Sequence, residues 1–247
     1  MRSPRRPDER ERPERPEPRN VGGTITRIAP QRDPDRVSIY LDGQFVLGLG
    51  AALAAARGLR VGQILAVEQV AALREQDELG KAVDKALAFL TARPRSIREV
   101  RDRLKEKEIP PATIDAVVAR LESWGYVGDE GFARYWIENR SANQPRGKRL
   151  LRQELWRKGV ERETVDQALD AAELDEEGAA LALARKRITQ LRALDEQTQR
   201  RRLAAFLQRR GYDWPTVKRA LDRLLSPNDE PDDGEALGDS DSYAYEG

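Results

Sequence analysis

The side chains with most chemistry to offer are arginines, and they come in two dense runs. Residues 140–158 hold seven bases against one acid, and residues 185–210 hold nine against two. A planar guanidinium suits bidentate contacts with phosphate or carboxylate. An Arg-rich run of one sign therefore points to a polyanionic or acidic partner; the competing reading is a solvated helix face with no partner. Arg98, Arg149 and Arg201 recur 51 and 52 residues apart. Arg95 and Arg146 flank the first two, and Lys148 and Arg152 lie in the first run. Arg157 and Arg209 share one repeat position, which Glu106 fills earlier in the chain. Trp156 falls among these bases, where it can stack on a nucleobase or fill a partner's pocket. These ten residues are the candidate binding set.

Catalytic chemistry is poorly provided for. The chain has no histidine and no cysteine. That excludes disulfides, Cys/His zinc sites, Cys–His nucleophiles and a Ser–His–Asp triad. Acids are many, but they alternate with arginines along helix faces, as Glu99 does with Arg103. Gly147-Lys148 lacks the upstream glycine and following hydroxyl of a phosphate-binding loop. Gly48-Leu49-Gly50 imitates a dinucleotide fingerprint, yet its third glycine position is Leu53 and the helix behind it is too short for a crossover. These glycines serve to turn the chain out of a hairpin. The expectation is no enzyme, no metal and no cofactor.

What must position the arginines is a repeat. With Leu104, Leu155 and Leu207 as anchors, the residues four before are Val100, Leu151 and Leu203; five after, Ile109, Val160 and Tyr212; ten after, Ile114, Val165 and Val217; and fourteen after, Val118, Leu169 and Leu221. Apolar offsets in register over three windows mark an internal repeat. Ser96 with Glu99 forms a capping box that opens the first middle helix. Gly159 and Gly211 stand where C-terminal glycines close the next two, whereas Glu108 holds that place in the first. Pro110-Pro111 and Asp213-Trp214-Pro215 open third helices. First helices are expected near 79–91, 129–142 and 175–193. The anchors define a buried stripe, and Arg98, Arg149 and Arg201 fall opposite it. Trp136 reads as core with Phe132, Trp124 and Tyr126 as packing between units, and Trp214 as a helix staple.

Residues 22–74 read differently. VSIYL (37–41) and QFVLGL (44–49) are strand-like, and Asp42-Gly43 between them signals a two-residue hairpin loop. A strand before them, a short helix over 51–57 and an extended piece at 63–67 complete a β-rich head.

Of the 247 residues, 39% are hydrophobic and 35% charged, which favours small charged helical modules over one large core. The net charge of +1 hides a division: residues 1–20 carry +2 and residues 226–247 carry −8, so the body between them is +7. Both ends are poor in apolar side chains and read as disordered; the acidic tail either screens the basic body or serves solubility alone. No apolar run is long enough to span a membrane and no secretory signal is present, so a cytoplasmic protein with no membrane association is expected. The fold class expected is mainly α, with tandem three-helix repeats of helix-turn-helix type in an elongated, monomeric body behind a small β head. The divisions are 1–20 tail, 21–74 head, 76–127, 128–173 and 174–225 repeats, and 226–247 tail.

The ordered set of residues resembles the RecX family of recombinase regulators. It comprises Arg93-Pro94-Arg95-Ser96 leading to Glu99-Val100 and Leu104; Trp124-Gly125-Tyr126-Val127 with Asp129-Glu130 and Phe132-Ala133; Gly147, Leu151, Glu154-Leu155 and Lys158-Gly159-Val160; and Leu207 with Arg209-Arg210-Gly211-Tyr212. The Tyr40-Leu41-Asp42-Gly43 hairpin is similar to the N-terminal extension of longer members. The resemblance covers about 22–225, and Glu108, where glycine is usual, departs from it. It implies a modulator of the RecA recombinase that binds the RecA–single-stranded-DNA filament, with single-stranded and also double-stranded DNA as partners. It further implies restraint of strand exchange and ATP hydrolysis, and so of DNA repair, homologous recombination and the SOS response. The alternative function is a helix-turn-helix transcription factor, a reading that the repeated helix-turn-helix spacing allows; a scaffold with no nucleic-acid role is the third.

Overall fold

The computed structural model describes residues 21–226; the two terminal segments expected to be disordered lie outside the described residues. Four strands form the head: β1 (Gly23–Pro30), β2 (Arg36–Leu41), β3 (Gln44–Gly50) and β4 (Ile64–Leu65), in the order β3-β2-β1-β4 with antiparallel neighbours. Asp42 and Gly43 both take positive φ (46° and 81°) in the hairpin loop, as a loop matched to strand twist requires. Helix α1 (Ala51–Ala56) follows β3.

Helix α2 (Val67–Leu90) starts well before the expected position, at the end of what reads in the sequence as an extended piece. The Ala66 N–H donates to the side chain of Gln69 at 2.8 Å, which starts the helix without a hydroxyl or carboxylate cap. Its first turns belong to the head: Val70 and Leu73 pack with Ile25, Ile39, Leu41, Val46, Leu47, Leu49 and Leu65. Buried Asp77 then ties the helix to the sheet. It accepts from the Gly50 N–H (2.8 Å), from Arg36 Nη2 (2.9 Å) and from Lys81 Nζ (2.6 Å). Burial pushes its carboxyl up, but hydrogen bonds from Arg36, Lys81 and Gly50 outweigh this and hold it below its ordinary value. In the glycine pair that imitates a nucleotide loop, Gly50 is thus held by a carboxylate of the same chain and the Gly48 carbonyl by Arg36.

The rest is helical. Three middle helices, α3 (Ile97–Lys105), α6 (Lys148–Arg157) and α9 (Glu196–Arg209), are each preceded by a first helix: α2, α5 (Asp129–Asn143) or α8 (Glu176–Ile188). Each is followed by a third: α4 (Pro111–Ser123), α7 (Arg162–Ala171) or α10 (Trp214–Leu225). All twelve apolar positions at the anchors and at offsets −4, +10 and +14 are at most 2% exposed. A cross-helix ion pair repeats as well, Arg101 to Asp115 and Arg152 to Asp166. Asp175, Asp195 and Asp213 cap α8, α9 and α10 through the N–H groups of Gly178, Thr198 and Thr216, each at 2.9 Å.

All three middle helices end in the same turn. The N–H groups of Glu108, Gly159 and Gly211 donate to the carbonyls of Lys105, Trp156 and Gln208 (2.9, 3.0 and 3.0 Å). Those of Ile109, Val160 and Tyr212 reach back to the anchor carbonyls of Leu104, Leu155 and Leu207 (3.2, 3.1 and 3.3 Å). This is the Schellman pattern, and it sets φ at 58°, 87° and 94° at the first three residues. Glu108 therefore adopts the left-handed conformation in spite of its side chain.

The structure divides into two compact units, one reaching to Arg93 and including Val100–Tyr126, the other Pro94–Glu99 with Val127 onward. In the second unit the turns are contact points. The Ser96 hydroxyl donates to the Lys158 carbonyl at 2.7 Å, and Lys158 Nζ donates to Glu99 at 2.6 Å. Ser96 and Glu99 meanwhile close the expected capping box, each accepting from the other's N–H at 3.2 Å. One repeat on, the Gly147 N–H donates to the Arg210 carbonyl at 3.0 Å. So the start of a middle helix seats on the turn that ends the next one. A Cβ on Gly159 would lie 2.7 Å from Arg98 Cβ, and one on Gly211 would overlap Leu150. Glu108 is exposed, and for this reason the turn there tolerates a side chain.

Gly211→Ala should therefore destabilise by about 2–4 kcal/mol, combining left-handed strain with overpacking. Glu108→Gly should stabilise by about 0.5–1 kcal/mol, since relief of that strain exceeds the entropy cost of glycine. Urea unfolding monitored by circular dichroism reads both; equal and small effects would contradict the distinction.

Candidate nucleoprotein-binding face

The helical repeat distributes the ten candidate residues over α3, α6, α9 and the segments before them, and their environments differ sharply. Arg146 is half-buried and forms an ion pair with Glu154. Glu154, 8% exposed, lies on α6 and also accepts from Arg140 Nε (3.0 Å) and Trp136 Nε1 (2.9 Å). The Trp136 ring is flanked by the Arg140 guanidinium at 4.4 Å and Lys158 Nζ at 5.0 Å from its centroid, and it packs on buried Phe132. Burial, then repulsion from Arg140 and Arg210, lowers the Arg146 guanidinium below its ordinary value. Two guanidiniums thus share one carboxylate, with a third, Arg210, acting on Arg146.

Others are also engaged. Arg152 donates to Asp166 at 2.7 Å, and the Lys148 backbone N–H donates to Glu176 at 2.7 Å with its ammonium 4.0 Å from Asp170. Arg149 is exposed, but its Nη2 donates to the Gln208 carbonyl at 2.6 Å, in the turn that ends α9. Arg98 is exposed while its aliphatic stem lies over Gly159, and Arg95 is half-buried.

Three cations remain outward-facing without a hydrogen bond or ion pair: Arg157, Arg201 and Arg209. Arg157 and Arg209 are repeat-equivalent, one at the end of α6 and one at the end of α9. Arg202 is exposed and unpaired as well, and adds to the set. Trp156 is 38% exposed beside Arg157, with the Arg162 guanidinium 5.1 Å from its ring centroid. Trp124 and Tyr126, which the sequence suggests as packing residues, are 52% and 59% exposed. Trp214 is 56% exposed at the start of α10.

Sequence spacing alone separates a buried stripe from an outer face, and that separation holds. It does not tell a guanidinium held by a carboxylate from a free one. The signal for Glu154 was available in principle, as the single acid of the basic run 140–158. Among the described residues no group of three or more acidic side chains is placed to hold a metal ion, and no helix is long and apolar enough to cross a membrane.

Four family models match the chain: the regulatory protein RecX N-terminal domain over residues 23–66, and the RecX first, second and third three-helix domains over 82–121, 129–169 and 175–221. Regulatory protein RecX of Bacillus subtilis (strain 168) is 30% identical over 215 residues, covering 86% of this chain and 81% of that protein. Regulatory protein RecX of Streptomyces coelicolor is 34% identical over 167 residues, covering 67% and 87%. A crystal structure of regulatory protein RecX superposes with a TM-score of 0.70 at 23% identity over 82% of this chain and 100% of that one, and that of RecX from Lactobacillus salivarius with 0.56 at 18% over 60% and 97%. At these identities the two structures establish the fold.

Glu154→Gln should destabilise by about 2–4 kcal/mol, because Arg140 and Arg146 would keep their partial burial and lose their counter-charge. Adding salt should recover part of the loss by screening. Denaturant melts at low and high salt check this; an unchanged midpoint would show that the carboxylate is not what holds the two guanidiniums.

Proposed function

The chain belongs to the RecX family, and from that premise we propose that it is a non-enzymatic regulator that binds the RecA–single-stranded-DNA filament in the cytoplasm. Binding restrains RecA strand exchange and the coupled ATP hydrolysis, and so tempers DNA repair and the SOS response. The observation that carries the reading is the pair Arg157 and Arg209, exposed, unpaired and repeat-equivalent. Cations recurring at a fixed repeat spacing suit a ligand that itself repeats, such as a phosphate backbone or a polymer of protein subunits. Arg201 and Arg202 extend the same charge along α9, and Arg98 and Arg149 contribute where their guanidiniums reach solvent. In this reading the functional modules are the head over 21–74 and the repeats over 76–127, 128–173 and 174–225, acting as a monomer.

The helix-turn-helix transcription factor reading is less well supported. Such a factor would use the third helix of a repeat for base contacts. In the second repeat that helix, α7, carries exposed Glu163, Asp166 and Asp170, with Asp166 and Asp170 beside Arg152 and Lys148, so the helix offers phosphate no face of one positive sign.

The test is RecA-catalysed ATP hydrolysis on single-stranded DNA. The parent chain should lower turnover. The double reversal Arg157→Glu/Arg209→Glu should fold normally, since exposed substitutions change stability by about ±0.5 kcal/mol, and should need at least about tenfold more protein for the same inhibition. The salt dependence of DNA binding should flatten by about 0.7 in log–log slope per lost phosphate contact on a single strand. Full inhibition by the double variant would remove these arginines from the binding face, and unchanged hydrolysis with the parent would defeat the reading.

A further inference from the structure

The binding face above is built from middle helices, yet the most exposed aromatic pair of the described residues lies elsewhere, at the end of α4. Trp124 and Tyr126 are 52% and 59% exposed, with ring centroids 6.2 Å apart and planes at 80°. Tryptophan is ordinarily a largely buried residue, and here about half of it is exposed.

The pair is held in place by its backbone. The Gly125 N–H donates to the Glu122 carbonyl and the Tyr126 N–H to the Leu121 carbonyl, both at 2.9 Å. Gly125 takes φ 73°. This left-handed cap folds the chain back on itself, so that the residues on either side of the glycine bring their rings together at the helix end. The Leu121 side chain beneath is fully buried. The platform is therefore attached to the core of the first repeat while its rings face solvent.

Its surroundings are polar. The Arg120 guanidinium lies 5.8 Å from the Trp124 ring centroid and is exposed, and Glu122 and Ser123 beside it are exposed too. An aromatic anchor for a protein partner is normally set among apolar neighbours that exclude water. An aromatic ring beside a free arginine is instead the combination that takes a nucleobase on the ring and its phosphate on the guanidinium. The same combination recurs at Trp156, where Arg162 lies 5.1 Å from a 38% exposed ring.

We infer that Trp124 and Tyr126, with Arg120, form a stacking platform for the bases of single-stranded nucleic acid, separate from the arginines of the middle helices. The platform deepens the proposed function and rests on its nucleic-acid part alone. Stacking supplies sequence-tolerant affinity that added salt does not screen, whereas the arginines supply the salt-dependent share.

The two contributions separate in one experiment. Binding of the full chain to a fluorescently labelled 30-nucleotide oligo-dT is measured by anisotropy across a salt series, for the parent, Trp124→Ala/Tyr126→Ala, Trp124→Phe and Arg157→Glu/Arg209→Glu. The alanine pair should lower affinity about tenfold or more at every salt concentration with the slope unchanged, and Trp124→Phe should keep most of the affinity. Binding of inorganic polyphosphate, which has charge and no bases, should be the same for the alanine pair and the parent. Circular dichroism verifies that each variant is folded. The inference is overturned if the alanine pair binds oligo-dT as the parent does, if it loses polyphosphate binding equally, or if it loses only capture by RecA protein, which would make the platform a protein contact. If the alanine pair retains oligo-dT binding while the arginine reversal loses it, the platform fails and the proposed function stands. If the parent binds no oligo-dT at all, the nucleic-acid part of that function fails with it.

Discussion

The seating of each middle-helix start on the turn that closes the next middle helix is the constraint on which the second unit depends. That turn presents backbone, because its glycine leaves room for a side chain of the preceding repeat, Arg98 in one case and Leu150 in the other. Ser96 reaches the Lys158 carbonyl and Gly147 reaches the Arg210 carbonyl because the residues that follow those carbonyls are Gly159 and Gly211. Both are in the left-handed region and both would clash as alanine. The spacing between repeats is thereby set by hydrogen bonds to carbonyls, with geometry tighter than apolar side chains alone impose. The first repeat makes the same turn at exposed Glu108, where the strain of a left-handed side chain is the only cost.

Buried carboxylates then sort the cations. Asp77 engages Arg36 and Lys81 and ties α2 to the head. Glu154 engages Arg140 and Arg146 and ties α5 to α6. Asp166, which is exposed, also engages Arg152. A guanidinium beside such a partner is a structural element, so the excess of bases in the sequence is larger than the excess available to a ligand; Arg157, Arg202 and Arg209 are among those that carry outward charge.

Much of the fold was legible in the sequence because it repeats. Apolar offsets around Leu104, Leu155 and Leu207 reveal the buried stripe, and Gly159, Gly211, Pro111 and Pro215 punctuate the helices as local physics requires. Asp42-Gly43 likewise announced its hairpin. Features decided by contacts distant in the chain were not legible. Helix α2 begins at Val67 because the head's core needs Val70 and Leu73, and no strong capping residue marks that start. Glu108 hides its turn because the conformation is imposed by the helix end and not by the residue. The candidate face was half legible: periodicity puts Arg98, Arg149 and Arg201 outside, but only the fold shows that Arg146 faces Glu154 and that Arg149 is drawn to a carbonyl. Trp124 and Tyr126 read in the sequence as packing between units, and both rings are more than half exposed, a property that an aromatic pair at a helix end does not reveal in sequence.

The central claim is that free arginines on joined repeats recognise a nucleoprotein filament. Its most direct test is equilibrium binding of the full chain to three targets across a salt series: RecA assembled on single-stranded DNA, RecA alone and the DNA alone. The account predicts that the assembled filament binds more tightly than either component at every salt concentration, with log affinity falling linearly against log salt. Affinity for the filament no greater than for its components, or an affinity indifferent to salt, would contradict it.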